Sequence, residues 1–193
     1  DNQYVLEKIF GGWKGFRLGG GDFPAGAGMK FGVAYDKPLT AADPDPALPN
    51  RVALVARGAY STRGYARVRG GIDALNLGGR AIDVSAFGLY YEFPQEDYFG
   101  VGMDSLESSR TNYLLDVIET GGAVHWRPYK LDFGGGASYL SPRVGSGTDS
   151  RFASTEEVFS PATTPGLGTN TDFLKVEASA AFDWRDNPSY PHS

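Results

Sequence analysis

The stretch Asp172-Phe173-Leu174-Lys175-Val176-Glu177-Ala178-Ser179-Ala180-Ala181-Phe182-Asp183-Trp184-Arg185 decides the fold class. Leu174, Val176, Ala178, Ala180, Phe182 and Trp184 fall on one parity. Phe173, Lys175, Glu177, Ser179, Ala181, Asp183 and Arg185 fall on the other. Strand side chains alternate between two faces, so the stretch has one apolar wall and one mostly polar wall. The same period of two runs through residues 29–36, 51–69, 80–92, 117–127 and 131–139. Six segments of this kind predict an all-β, antiparallel architecture. All but residues 29–36 reach the roughly 9–11 residues that a tilted strand needs to cross a bilayer, and that segment does so with its neighbouring glycines.

Residues 51–69 show what the polar wall is made of. Val52, Leu54, Ala56, Tyr60, Ala66 and Val68 share one face, while Arg51, Arg57, Arg63, Arg67 and Arg69 share the other. Asp83, Glu119, His125, Arg127, Lys175 and Glu177 occupy the matching polar face of later segments. Charges facing lipid are costly, so this wall is expected to line a lumen, with Val33, Leu54, Val84, Val124, Phe133 and Val176 facing lipid. Repulsion along the arginine row calls for partners, predicted to be Asp83, Glu119 or Glu177 across the lumen.

Composition narrows the classes. The 193 residues carry 18 Lys+Arg against 23 Asp+Glu, a net charge of −5, which argues against a nucleic-acid partner. Cysteine is absent, so disulfides, thiolate catalysis and zinc-thiolate sites are excluded. No apolar run approaches the roughly 20 residues of a membrane helix. A membrane β-barrel remains open, because alternating strands average to a mildly polar chain. A soluble antiparallel sandwich or lipocalin-like barrel shows the same alternation. Three features favour the membrane: apolar faces rich in Ala and Gly, Tyr and Trp near segment ends, and an alternation of connections. Residues 70–79 and 127–130 are short, whereas 37–50, 93–110 and 142–171 are long, which predicts long external loops and both chain ends on the periplasmic side. Residues 3–10 predict a short periplasmic helix ending at Gly11-Gly12. The chain thus divides into an N-terminal segment, 1–25, and a partial outer-membrane barrel, 26–193.

Tyr98-Phe99-Gly100-Val101-Gly102-Met103-Asp104-Ser105, followed by Arg110-Thr111-Asn112-Tyr113, resembles a passage of the bacterial surface antigen family. These are outer-membrane barrels related to BamA- and TamA-type assembly factors. Asp183-Trp184-Arg185-Asp186-Asn187-Pro188 resembles that family's strand-to-turn signature, and Gly26-Ala27-Gly28 with Gly32-Val33-Ala34-Tyr35 is similar to its glycine-rich opening strand. The resemblance marks Gly100, Gly102, Asp104, Ser105, Arg110, Tyr113, Asp183, Arg185, Asp186, Asn187 and Pro188 as structural motif positions. It implies a roughly sixteen-stranded barrel, of which six segments are about the first half. It also implies a non-enzymatic role in outer-membrane biogenesis, protein insertion or translocation, no cofactor, and partners in the bilayer and among other outer-membrane or periplasmic proteins. The strand at 27–36 is then the first strand of a gate and one open edge, with 172–185 as the other. The family's Arg-Gly-aromatic tripeptide follows its Asp-Arg-Asp-Asn-Pro region, whereas Arg63-Gly64-Tyr65 precedes it here, so Arg63 is read as a strand-embedded lumen arginine. Two other functions stay open: a passive porin-like channel with an arginine-rich lumen, and a soluble ligand-binding barrel.

Chemistry is sparse. His125 beside Glu119 and Arg127 reads as part of a polar network, since no nucleophile motif surrounds it. Gly19 to Gly28 lacks a P-loop lysine, and Asp43-Pro44-Asp45-Pro46 lacks the glycine and distal Glu of an EF-hand. No catalytic, cofactor or metal-binding residue is assigned. Asp183 and Arg185 share a face and are expected to pin the strand end by charge-assisted hydrogen bonds, with Asn187-Pro188 turning the chain.

Overall fold

Each strand pairs with its neighbours in sequence, giving one antiparallel sheet in the order β1 to β8. The strands are β1 (Phe16–Gly19), β2 (Lys30–Pro38), β3 (Arg51–Ser61), β4 (Ala66–Asn76), β5 (Ile82–Tyr98), β6 (Thr111–Trp126), β7 (Leu131–Ser146) and β8 (Phe173–Phe182). This computed structural model describes residues 15–40 and 51–182. The helix expected over residues 3–10, the Asp43–Pro46 loop and the Asp183, Arg185, Asp186, Asn187 and Pro188 motif lie outside the described residues. The antiparallel all-β architecture stands. Among the described residues β1 and β8 do not pair with each other, so the sheet is open.

The six expected segments become eight strands. Residues 51–69 are a hairpin rather than one strand. Tyr60 faces Ala66, and every β3–β4 pair sums to an even number. A turn with that register preserves odd and even faces, so alternation reads straight through it. The turn is Thr62-Arg63-Gly64. Gly64 sits at φ +85°, where glycine is favoured, and the Ser61 amide donates to the Tyr65 carbonyl at 2.9 Å. Arg63 is therefore a turn residue, not a strand-embedded arginine. The first edge strand is β1, because residues 30–38 are paired on both sides.

The extra strand re-sorts the connections. Residues 20–29, 62–65, 99–110 and 147–172 lie at one end of the sheet. β2 ends and β3 begins at the other end, where the turns at 77–81 and 127–130 also lie, so long and short connections do not alternate strictly. β1 starts and β8 finishes at this second end. The linker expected over 70–79 shrinks to the one-turn helix Leu77–Arg80, because residues 70–74 pair with β5.

β5, β6 and β7 are 17, 16 and 16 residues long, well past the limits that alternation suggested. Glu92 faces Asp116, and Asp116 faces Arg143, all on the otherwise apolar side. Polarity stops alternating at this row while the hydrogen-bonded ladder continues. A bulge at Pro94-Gln95 follows between Phe93 and Glu96, turning backbone carbonyls outward.

Those carbonyls anchor the loops. The Pro94 carbonyl accepts from Thr148 N at 3.0 Å and from its hydroxyl at 3.2 Å. The Gln95 carbonyl accepts from the Tyr65 hydroxyl at 2.8 Å. Tyr65 packs with Phe23, Ala27 and Phe93 into a small core at this end, and burial raises its hydroxyl pKa. Asn112, 1 % exposed, donates through Nδ2 to the carbonyls of Asp149, Phe152 and Ala153, and its Oδ1 accepts from Asp149 N. Ser154 and Glu157 close a capping box on the one-turn helix Thr155–Val158. The hydrogen bonds and charge of Arg151 hold the Asp149 carboxyl at about 2.

Candidate functional site

The sheet has two chemically opposite faces. Leu18, Val33, Leu54, Val68, Ile72, Val84, Val124, Phe133 and Val176 lie on the exposed one, Val33 at 43 % and Val124 at 48 %. Phe16 with Tyr35, and Trp126 stacked on Phe133 at 5.8 Å, mark one margin of this apolar band. Phe31, Tyr60 and Tyr139 mark the other. The opposite face is more sheltered: Ala53, Val55, Leu89, Val117 and Ser138 on it are buried. Arg51, Arg57, Arg67, Arg69, Asp83, Glu119, His125, Lys175 and Glu177 share that face by register. Arg63 and Arg127 lie instead in turns at opposite ends.

Over β5 to β8 the charges of this face are matched. Asp83 meets Arg127 at 2.6 Å and accepts from Asn76 N at 2.7 Å. His125 Nδ1 lies 3.0 Å from Asp132, its acidic partner in place of the expected Glu119, because the 127–130 turn brings β7 back alongside it. Glu119 accepts from the Ser138 hydroxyl at 2.6 Å and sits 3.9 Å from Lys175, which is 3.5 Å from Glu177. The three carboxylates expected to neutralise the arginine row are thus engaged elsewhere. Each has a cation nearer in the register.

Over β1 to β4 the balance is different. Arg57 stands directly opposite Arg69, with Arg67 two positions along the same face. Asp22 lies 4.0 Å from Arg67, and Asp36 is paired with Arg17. The Arg69 guanidinium sits 4.5 Å over the Phe87 ring, a cation–π contact. These arginines border an open cleft of about 380 Å³, walled partly by Gly19, Gly20 and Gly32. Arg51 lies at the far end of β3, its Nε buried without a hydrogen-bond partner among the described residues.

The passage at 98–113 turns out to be a clasp. Arg110 makes a bidentate pair with Asp97 at 2.8 and 2.9 Å and stacks on Phe152 at 4.2 Å. Gly100 and Gly102 take φ of +106° and +98° in the connecting loop, where Asp104 and Ser105 are exposed. Tyr113 faces Glu96 and Ser146 across the sheet. Tyr98 meets the Phe159 ring edge-on at 5.1 Å. Asn112, inside this passage, is the residue that ties down the 147–172 loop, and no sequence pattern distinguishes it from an exposed strand asparagine. Asp22 and Phe87 likewise join the arginines only through folding.

Among the described residues no group of three or more His, Asp and Glu side chains is placed to hold a metal, and no described helix is long and apolar enough to cross a membrane. Comparison with family models, curated proteins and solved structures gives no match.

Proposed function

We propose that this chain is part of a β-barrel that spans the bacterial outer membrane. We assign it the surface antigen type, with a non-enzymatic role in outer-membrane biogenesis, protein insertion or translocation. One observation carries the membrane reading: the apolar face is bare, while the buried residues Ala53, Val55, Leu89, Val117 and Ser138 lie on the face that carries the charges. A soluble barrel or sandwich has the opposite polarity, apolar side chains within and charges toward water. The exposed face, edged by aromatic residues, suits a hydrocarbon band of about 25 Å with interfacial girdles. β5 to β7, at about 3.3 Å per residue, are longer than that band and would project past it. The row Glu92, Asp116 and Arg143 then marks where lipid ends. Spanning a bilayer requires the open edges at β1 and β8 to be paired by further strands, since unpaired backbone groups in hydrocarbon cost several kcal/mol each, about the scale of a lost hydrogen bond in apolar surroundings.

The absence of cysteine makes the test direct. Met103→Cys and Tyr129→Cys place single thiols on fully exposed residues at opposite ends of the sheet. A membrane-impermeant maleimide applied to intact cells is expected to label the first and not the second. Recovery of the chain in the soluble fraction without detergent would overturn the reading.

A further inference from the structure

We infer that Arg57, Arg67 and Arg69 form a binding site for a small, water-soluble phosphate-bearing anion; this deepens the reading above and rests on the sheltered face being a water-filled lumen. Arg57 and Arg69 are directly opposed across β3 and β4, an arrangement that repels unless an anion lies between. The fold brings little of its own to that place: Asp22 is loosely spaced from Arg67, and Asp36 is taken by Arg17. Lys175 and His125 on the same face, and Arg127 in the turn at its end, all have carboxylate partners. The neutralisation missing here is therefore local. Three guanidinium groups that line one cleft from two strands suit a tetrahedral dianion, whose oxygens they can share, better than the two oxygens of a carboxylate. The Phe87 ring lies beneath the Arg69 guanidinium at 4.5 Å and restricts its movement. Glycine at positions 19, 20 and 32 leaves the cleft of about 380 Å³ free of side chains on that wall, room enough for a small organic phosphate. The site opens on the sheltered face, away from the apolar band, which favours a dissolved phosphate over a lipid headgroup.

Calorimetry on the full chain in detergent micelles, at ionic strength fixed with sodium chloride, tests this with inorganic phosphate and glycerol 3-phosphate as probes. Saturable binding is expected, weakened about tenfold or more by Arg57→Gln and by Arg69→Gln and unchanged by Lys37→Gln on the exposed face. Both arginine variants remove a like-charge neighbour, so they should fold, and unaltered protease resistance confirms that they have. No saturable binding beyond chloride, or equal binding by parent and variants, overturns the site. Arginine-dependent attachment to phosphatidic acid vesicles without binding of the soluble probes overturns the solute assignment in favour of a headgroup. The micelle measurement does not depend on where the chain resides. Phosphate binding with failed surface labelling would leave the site and remove the membrane reading, and the reverse result would do the opposite.

Discussion

The two halves of the sheltered face are built from the same kind of strand yet treat charge in opposite ways. From β5 to β8, Asp83, His125, Glu119 and Lys175 all find a counter-charge within 4 Å. From β3 to β4, Arg57 and Arg69 confront each other, with no described carboxylate between them. Matched charges knit strands and turns together and leave little for a ligand. Opposed like charges weaken the local pairing and create a field that an anion can relieve. One half is therefore read as scaffold and the other as the part that meets a solute.

The comparison breaks most severely if the faces are misassigned. Val124→Lys and Ile72→Lys put a charge within the apolar band and should each cost roughly 2–4 kcal/mol in a bilayer. Urea titration of the complete barrel, with the strands that pair β1 and β8, folded into lipid vesicles measures this, and parent-like stability of both variants would reverse the faces. Asn112→Ala removes hydrogen bonds to three carbonyls and one amide from a buried site. A loss of about 1–3 kcal/mol is expected, read as faster proteolysis within residues 147–172.

The contrast between halves is sharpened by two substitutions on the sheltered face. Asp83→Ala removes the ion pair to Arg127 and the hydrogen bond accepted from the Asn76 amide, and should destabilise by about 1–2 kcal/mol. Arg57→Ala should stay within about 0.5 kcal/mol of the parent or stabilise, because it removes a repulsion. Equal destabilisation by the two would erase the distinction.

The smallest effect is a pH dependence outside the strands. The Asp172 carboxyl is held at about 2, against an ordinary 3.8, by the Tyr139 hydroxyl first, then by Arg143 and Ser141. A depressed carboxylate stabilises the fold fully above its unfolded value, and that contribution fades as pH falls through about 2. Asp172 is exposed, so solvent screens the pair and the effect should be slight. Carboxyl chemical shifts followed from pH 5 to pH 1, roughly the window set by these values, should place its midpoint well below those of unpaired aspartates. An ordinary midpoint would show that this clasp is absent in solution.

Alternation of polarity was sufficient to assign an antiparallel all-β architecture and to sort residues between faces. Val33, Leu54, Val84, Val124, Phe133 and Val176 all lie where period two places them, because a strand's side chains point to opposite faces whatever the strand pairs with. Strand number was not legible. The Thr62-Arg63-Gly64 turn keeps parity across the hairpin, so no break shows in the pattern, and β1 contributes too few residues to establish a period. Strand ends were lost for the converse reason: at Glu92, Asp116 and Arg143 the chemistry changes while the ladder goes on. Charge partners lay furthest from reach. Which carboxylate meets which cation depends on register between strands and on turn length, quantities that a list of polar positions does not contain. Pairing across the sheet gave Asp83 to Arg127, Asp132 to His125 and Lys175 to Glu119, and left Arg57 facing Arg69.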